Sequence, residues 1–223
     1  IVEAVQTTMH DMVVLDQSRK EFVSNVSHEL KTPLSSMKVL AESLLLQDNV
    51  PPEMYREFLQ DIDGELDREN QMIEELLSLA RTDRKQVSMN ISQLDINALA
   101  ESVLKRVRPL AQKKDVELIL VSEREIRAEA DEVKMVMILT NLVENAVKYN
   151  REHGKVTVTL DSDGKSFTIA VTDTGIGIPR EAQAKIFDRF FRVDPSRSRE
   201  IGGTGLGLSI ARNAVVMHRG AIK

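Results

Sequence analysis

The chain has 223 residues, 42% of them hydrophobic and 29% charged, with a formal net charge of -5 and no cysteine. This composition excludes a disordered chain and leaves room for one or two folded domains, each with its own core. The missing cysteines exclude disulfides and thiolate metal sites, and the acidic balance argues against a nucleic-acid partner.

Residues 1–83 are predicted to form two long helices. Apolar residues recur at spacings of three and four over 23–44 and again over 59–80, where Glu69 is the one polar interruption. The segment QDNVPPE, at 47–53, separates the two patterns as a turn. Such a hairpin buries little apolar surface by itself, so we expect it to pair with a second copy in a dimeric four-helix bundle.

Pro33 lies inside the first predicted helix, shortly after His28. A proline in a helix interior costs about 3 kcal/mol, because it offers no N–H to the carbonyl four residues earlier, here that of Glu29, and its ring pushes against that carbonyl. On a helix, Val26 and Leu30 each lie about 200° from His28 in opposite directions, so the imidazole faces away from the apolar seam. We therefore expect a bend close to His28 that acts as a hinge.

The remaining residues, 94–223, have the pattern of an α/β sandwich, and a polar linker at 84–93, with room for a short strand at its end, leads into them. Helical periodicity and alternating apolar residues predict two helices and three strands. The helices are 96–113 and 132–149, and the strands are 116–121, 155–160 and 167–171. The turn sequence DSDGKS joins the last two strands as a hairpin.

Two familiar nucleotide motifs are not found in this half. The last three positions of a P-loop motif are matched by Gly164, Lys165 and Ser166. Thr159, however, occupies the position where that motif requires its first glycine. No Gly-x-Gly-x-x-Gly follows a strand in a βαβ unit, which argues against a Rossmann dinucleotide site.

Three polar residues of the second predicted helix of this half share one face. Asn141, Asn145 and Lys148 lie at i, i+4 and i+7. An amide oxygen is a ligand for a hard cation and an ammonium group neutralises phosphate, so this face suits a metal-phosphate group. Taken alone, such a face is more often an ordinary solvated surface.

Two glycine-rich loops, DTGIGIP at 173–179 and GGTGLGLSIA at 202–211, can bring backbone N–H groups close to a phosphate-bearing ligand. Each loop taken separately can equally be a simple turn. Between them, 187–199 combines aromatic residues with four arginines, which suits either a nucleic acid or a lid over a polyphosphate. The acidic net charge favours the lid.

In this order along the chain, 141–149, 173–177, 187–191 and 202–208 resemble the N, G1, F and G2 boxes of the sensor histidine kinases. The ATP-binding domain of that family is an α/β sandwich of the type shared with the gyrase, Hsp90 and MutL ATPases. The resemblance takes in nearly the whole chain, and four boxes in the family's order are a specific signal. It implies ATP and Mg²⁺ as ligands.

The resemblance also implies roles for individual residues. The Asp173 carboxylate would accept a hydrogen bond from the adenine amino group, Asn145 would ligate Mg²⁺ and Lys148 would contact phosphate. Tyr149 would pack near the adenosine, and Asn141 would lie near the γ-phosphate. The other implied site residues are Gly175 and Gly177 beside the adenine, Gly203, Thr204, Gly205, Leu206 and Gly207 along the phosphates, and Arg192 facing the charge that develops on the γ-phosphate.

The segment HELKTP, at 28–33, resembles the H-box of the same family, in which a histidine attacks the γ-phosphorus of ATP. A neutral imidazole is a competent nucleophile, so the resemblance makes His28 the phosphoacceptor. Glu29 would orient or deprotonate the ring, and Thr32 would position the water that dephosphorylates a response regulator. Taken alone, Glu29 and Thr32 are ordinary helix surface.

These patterns together predict the cytoplasmic core of a homodimeric bacterial sensor histidine kinase. ATP would phosphorylate His28, the phosphoryl group would pass to an aspartate in the receiver domain of a response regulator, and the same core would dephosphorylate that regulator. Two alternatives stay open. One is an ATPase of the gyrase or Hsp90 type that phosphorylates no histidine, and the other is a non-catalytic signalling scaffold.

The two ends of the chain indicate a larger protein. The first residue is not Met, 1–19 is predicted to extend the first helix toward an input module, and apolar residues resume just before Lys223. We therefore expect a fragment of a membrane receptor, with its sensor module upstream and its ATP-binding domain truncated at the C-terminus.

Overall fold

The computed structural model describes residues 2–46, 50–82, 89–194 and 203–223. The chain divides into two compact units, 1–74 and 75–223. Among the described residues, no helix is both long and apolar enough to span a membrane.

The first unit is built from two long helices, α1 (Val2–Leu45) and α2 (Pro52–Thr82), and α2 continues into the second unit. α1 runs through Pro33 without interruption. α2 begins at a proline, whose missing N–H is no loss in a first turn, and Glu53 beside it complements the helix dipole. The predicted helical hairpin is therefore confirmed.

Both helices leave large apolar side chains exposed. Val23 and Leu34 on α1 are 57% and 55% exposed, and Leu59 on α2 is 59% exposed. Exposed apolar surface, where it is contiguous, marks interaction sites in soluble proteins. The exposed rows are those that the periodicity of the sequence assigns to the bundle seam.

Within the described part of the second unit, five strands and four helices follow α2. They are, in chain order, β1 (Ile91–Asp95), α3 (Ile96–Gln112), β2 (Glu117–Ser122), β3 (Arg127–Asp131), α4 (Glu132–Lys148), β4 (Lys155–Ser162), β5 (Phe167–Asp173), α5 (Arg180–Gln183) and α6 (Gly207–Met217). β2 is parallel to β4 and β5 is antiparallel to β4 in one sheet, whereas β1 and β3 form a separate antiparallel pair.

The core of this unit lies between α3, α4 and the three-stranded sheet. β4 shows the alternation of a strand with one face inward, because Val156, Val158 and Leu160 are buried while Thr157 and Thr159 between them are not. α4 packs against both α3 and α6. This packing makes α4 the central helix of the unit.

The junctions between β1 and α3 and between β3 and α4 are built in the same way, with an aspartate that caps the helix. β1 runs directly into α3 and β3 directly into α4, and the last strand residue, Asp95 or Asp131, caps the helix. The Asp95 carboxylate accepts from the Ala98 N–H at 3.0 Å, and the Asp131 carboxylate accepts from the Lys134 N–H at 3.1 Å. Such a cap contributes about 1 kcal/mol to helix stability.

The predicted helices and strands of this unit are present, with bounds within two residues of those expected, and the DSDGKS turn does join β4 to β5. Beyond the two helices and three strands predicted from periodicity, the unit contains β1, for which the linker left room, and α6, which begins within the second glycine-rich segment. β3 and the short helix α5 were not expected. β3 has the sequence RAEAD, in which charged residues alternate with alanines. This segment offers too little apolar surface to indicate a strand, and it becomes one by pairing with β1.

Candidate functional site

α4 carries the predicted N box and has an apolar and a polar side. Leu139, Val143 and Val147 are fully buried, whereas Asn141 and Asn145 are only half-buried. Because the apolar side is held by the core, packing fixes the positions of the polar side chains. The two faces expected from the sequence are both present.

The polar side chains of α4 differ in what they already bind. Lys148 Nζ pairs with Glu144 Oε2 at 3.1 Å, and Asn141 Nδ2 donates to the Met137 carbonyl at 2.9 Å. Among the described residues, no hydrogen bond engages the Asn145 side chain. Its amide oxygen is therefore available as a ligand, and a neutral oxygen suits a hard cation such as Mg²⁺.

The G1 loop lies against the C-terminal end of α4. The Ile176 N–H donates to the Tyr149 carbonyl at 3.2 Å, and a Cβ added to Gly175 would lie 2.5 Å from the same oxygen. Only glycine allows this close approach. At the end of β5, Asp173 Oδ1 accepts from the Gly175 N–H at 2.8 Å, so the loop itself orients the exposed carboxylate.

The F and G2 boxes meet through their backbones. The Phe190 N–H donates to the Gly205 carbonyl at 2.9 Å, and both residues have left-handed backbone conformations, with φ of 63° and 73°. α6 begins at Gly207, where an added Cβ would collide with the amide oxygen of Asn141. The N, F and G2 boxes are therefore in contact within one unit.

Among the residues that the structure describes, no side chain caps the N-terminus of α6. Its first N–H groups and its helix dipole favour an anion, as a phosphate-binding role requires. Leu206, at the start of this helix, has a fully buried side chain, so only its backbone can face a ligand. Thr204 Oγ1 accepts from the Leu206 N–H at 3.2 Å and donates to the Glu75 carboxylate of the same unit.

The other predicted residues of this region are Gly203, Arg192 and Gly177. Gly203 and Arg192 are half-buried, and Gly177 has φ of 70° in the G1 loop. Residues 195–202, which include two of the four arginines and the first glycine of the G2 box, lie outside the described residues.

His28 is exposed on α1, and Glu29 beside it is half-buried. The Thr32 hydroxyl donates to the backbone carbonyl of His28 at 3.1 Å. A hydroxyl that bonds back to the carbonyl four residues earlier favours a slight helix bend, and here it does so next to Pro33. The imidazole is accessible, while the hinge expected at Pro33 stays a prediction.

Sequence reasoning missed several residues that hold the site together. The guanidinium of Arg212, on α6, lies over the ring of Phe187, 5.8 Å from its centroid. Lys114 Nζ donates to the carbonyl of Lys148 and so caps the end of α4. Neither pair lies within one motif, so no local pattern marks it.

A buried carboxylate fixes the other end of α4. Burial raises the pKa of Asp131, but hydrogen bonds from the Asn90 N–H and from the backbone and ammonium of Lys134 outweigh it and hold the pKa below its usual value. Asp131 therefore stays ionised at neutral pH. It ties the start of β1 to the start of α4.

Comparison with known families agrees with this arrangement. Residues 130–223 match the histidine kinase-, DNA gyrase B- and HSP90-like ATPase family, and residues 18–85 match the His Kinase A (phospho-acceptor) domain. The chain is 36% identical over 213 residues to the sensor-like histidine kinase SenX3 of Mycobacterium tuberculosis. That alignment covers 96% of this chain and 52% of SenX3, so the chain spans about half the length of this relative.

Two solved structures are similar to this chain in fold. The histidine kinase ThkA in complex with the response regulator protein TrrA is similar in fold, with a TM-score of 0.73 at 24% identity over 90% of this chain and 55% of that chain. Full-length ShkA in complex with AMPPNP has a TM-score of 0.66 at 29% identity, over 90% of this chain and 42% of that chain.

An α/β sandwich with N, G1, F and G2 boxes in contact defines the class of ATPases that includes the histidine kinases, gyrase and Hsp90. In this chain the sandwich follows a helical hairpin that matches a phosphoacceptor domain. The chain belongs to the sensor histidine kinases.

Proposed function

We propose that this core transfers the γ-phosphoryl group of ATP to His28. One observation carries the proposal: the four boxes meet around α4 in one unit, on a chain that also exposes a histidine in its phosphoacceptor-like helix. A family relative, ShkA, has been solved with the ATP analogue AMPPNP, which supports ATP as the ligand.

The second unit would bind the nucleotide through its own residues. Asp173 would accept from the adenine amino group, and the backbone N–H groups at the start of α6 would hold phosphate oxygens. Lys148 would exchange part of its pairing with Glu144 for a phosphate oxygen. Asn145 would hold Mg²⁺, which when bound neutralises the charge of the phosphates.

At His28, a nitrogen of the neutral imidazole would attack the γ-phosphorus. A nitrogen–phosphorus bond forms, the bond from the γ-phosphorus to the bridging oxygen breaks, and ADP leaves with that electron pair. Glu29, the neighbouring carboxylate, would take the proton that the ring loses. Positioning and charge neutralisation supply most of the rate in such a transfer.

The test is incubation of the chain with Mg²⁺ and γ-labelled ATP, followed by assay for acid-labile, base-stable protein phosphate. Labelling is expected in the unmodified chain and in His153→Gln, a control at another exposed histidine, and it should be absent in His28→Gln. Label that persists in His28→Gln would place the acceptor elsewhere. ATP hydrolysis without labelled protein would favour the gyrase-type alternative, and neither reaction would favour the scaffold.

We also propose that the phosphoryl group passes to an aspartate of a response regulator and that Thr32 assists its later removal. The similarity in fold to ThkA, which has been solved with the regulator TrrA, supports a partner of this class. The Thr32 hydroxyl lies on the same helix face as His28, one turn away, where it could orient a water.

A second copy of the chain is the proposed partner of the helical hairpin. The exposed apolar rows of α1 and α2 support this pairing, because burying them is the main stabilisation available to the hairpin. Sedimentation should give twice the 25.1 kDa mass of the chain. A monomer at all concentrations would reject the dimer, and membership of a larger membrane receptor stays a prediction.

A further inference from the structure

Asn150, the residue after the N box, is buried and uses every polar atom of its side chain. It is 7% exposed. Its Nδ2 donates to the Lys155 carbonyl at 3.1 Å, and its Oδ1 accepts from the Arg151 N–H at 3.0 Å and from the Thr174 hydroxyl at 3.1 Å. A buried amide that is bonded through both its nitrogen and its oxygen is held in one orientation.

Thr174, the partner of this amide, follows Asp173 directly. Its hydroxyl accepts from the Lys155 N–H at 2.9 Å and has one proton to donate. The Asn150 oxygen lies at 3.1 Å and the Lys155 carbonyl at 3.5 Å, so the proton goes to Asn150. The Thr174 N–H bonds the Lys155 carbonyl as well, at 3.2 Å.

This pair joins two segments on which the proposed nucleotide site depends. On one side, Asn150 follows Tyr149, whose carbonyl accepts from the Ile176 N–H. On the other side, Thr174 separates Asp173 from Gly175, whose N–H orients the Asp173 carboxylate. The hydroxyl-to-amide bond therefore spans the gap between the end of α4 and the loop that carries Asp173.

We infer that Asn150 and Thr174 are a positioning pair that holds the loop from Asp173 to Ile176 against the end of α4 in the geometry that receives the adenine. The inference rests on the proposed function for the identity of the ligand. The pair touches no phosphate and takes no part in phosphoryl transfer. Its effect falls on nucleotide affinity and on the order of the loop, and not on the reactivity of His28.

The informative variant is Thr174→Val, which keeps the shape of the side chain and removes its hydroxyl. Thr172→Val is the control, because Thr172 is an exposed threonine near the end of β5, two residues before Thr174. Thr174→Ser restores the hydroxyl. Loss of one hydrogen bond to a buried amide should weaken ADP binding about fivefold in Thr174→Val, measured by calorimetry, and leave the control and the serine variant within about twofold.

A second readout uses the ligand-free protein. Amide hydrogen exchange at Gly175 and Ile176 should be faster in Thr174→Val than in Thr172→Val, while the melting temperatures of the two variants stay close. Equal exchange in the two variants would overturn the inference, as would equal ADP affinity in chains that bind ADP. If the unmodified chain binds no ADP, the proposed function fails, and the exchange comparison alone decides whether the pair positions the loop.

Discussion

The backbone N–H of Asp131 donates to Nε2 of His218 at 3.0 Å, and Nδ1 of the same ring lies 2.7 Å from the Ala214 carbonyl. Because Nε2 accepts, the proton of the neutral ring is on Nδ1 and is donated to that carbonyl. One imidazole therefore joins the C-terminal end of α6 to the N-cap of α4. The start of the N-box helix and the end of the G2-box helix are held together by this ring.

Replacing His218 with asparagine should destabilise the second unit by about 1–3 kcal/mol, because the Asp131 N–H is buried and would lose its acceptor. Urea unfolding followed by circular dichroism measures the change. The control is His153→Asn, which removes an exposed ring whose contact with the exposed Asp115 carboxylate is worth less than about 1 kcal/mol. An equal loss of unfolding free energy in the two variants would show that the buried contact between His218 and Asp131 does not stabilise the unit.

Glu69 is a buried carboxyl in the apolar seam of α2, with no hydrogen bond to its Oε2 among the described residues. Burial raises its pKa, and the charge of Glu65 raises it further. A carboxyl whose pKa is raised by folding contributes stability that is complete below its unfolded value, near 4.5, and is lost as the pH rises through the folded pKa.

Glu69→Gln, which carries no charge at any pH, should therefore raise the melting temperature of the chain at neutral pH and give no gain below pH 4.5. Thermal unfolding across this pH range measures the effect. Glu57→Gln, at an exposed position of the same helix, should change little at either pH. A gain from Glu69→Gln that is independent of pH would contradict the assignment to its charge.

Gly207→Ala should weaken ADP binding about tenfold or more, because the new methyl group would displace the Asn141 amide from the start of α6. Gly64→Ala is the informative comparison. Gly64 lies in the exposed interior of α2 with no atom near its missing Cβ, so alanine there should stabilise the chain by about 0.5–1 kcal/mol. Calorimetric titration with ADP and thermal unfolding of both variants separate binding from stability.

Thr32→Ala should spare phosphorylation of His28 and slow dephosphorylation of the regulator, because the hydroxyl is proposed to orient water and not to touch ATP. The two rates are measured separately, with labelled ATP and with purified phosphorylated regulator. Thr32→Ser, which keeps the hydroxyl, should retain dephosphorylation. Equal losses of both rates in Thr32→Ala would reduce the residue to a structural role in α1.

Pro33→Ala restores a backbone N–H that can reach the Glu29 carbonyl and should straighten α1 near His28. If the proline is a hinge, the ratio of kinase to phosphatase rate should change more than the melting temperature does. The rates are measured as for Thr32. An unchanged ratio in a more stable protein would leave Pro33 as a tolerated bend.

The sequence by itself predicts the elements that depend on local spacing. Helical periodicity shows both long helices, alternation shows β4 and β5, and the N-box spacing puts Asn141, Asn145 and Lys148 on one face of α4. Each of these patterns lies within one element, where the geometry of helix or strand alone decides which residues are neighbours. The four boxes are readable for the same reason.

Only the tertiary structure decided the contacts between elements. β3 is a strand because β1 lies beside it, and Asn150 and Thr174, 24 residues apart, meet because β4 and β5 are antiparallel. Asp131 and His218 are 87 residues apart and meet because α4 and α6 pack together. Such pairs depend on which surfaces the packing of the core brings together. The local sequence around a polar residue is the same whether those surfaces bury it or leave it in water, so the sequence alone does not show which polar residues are buried.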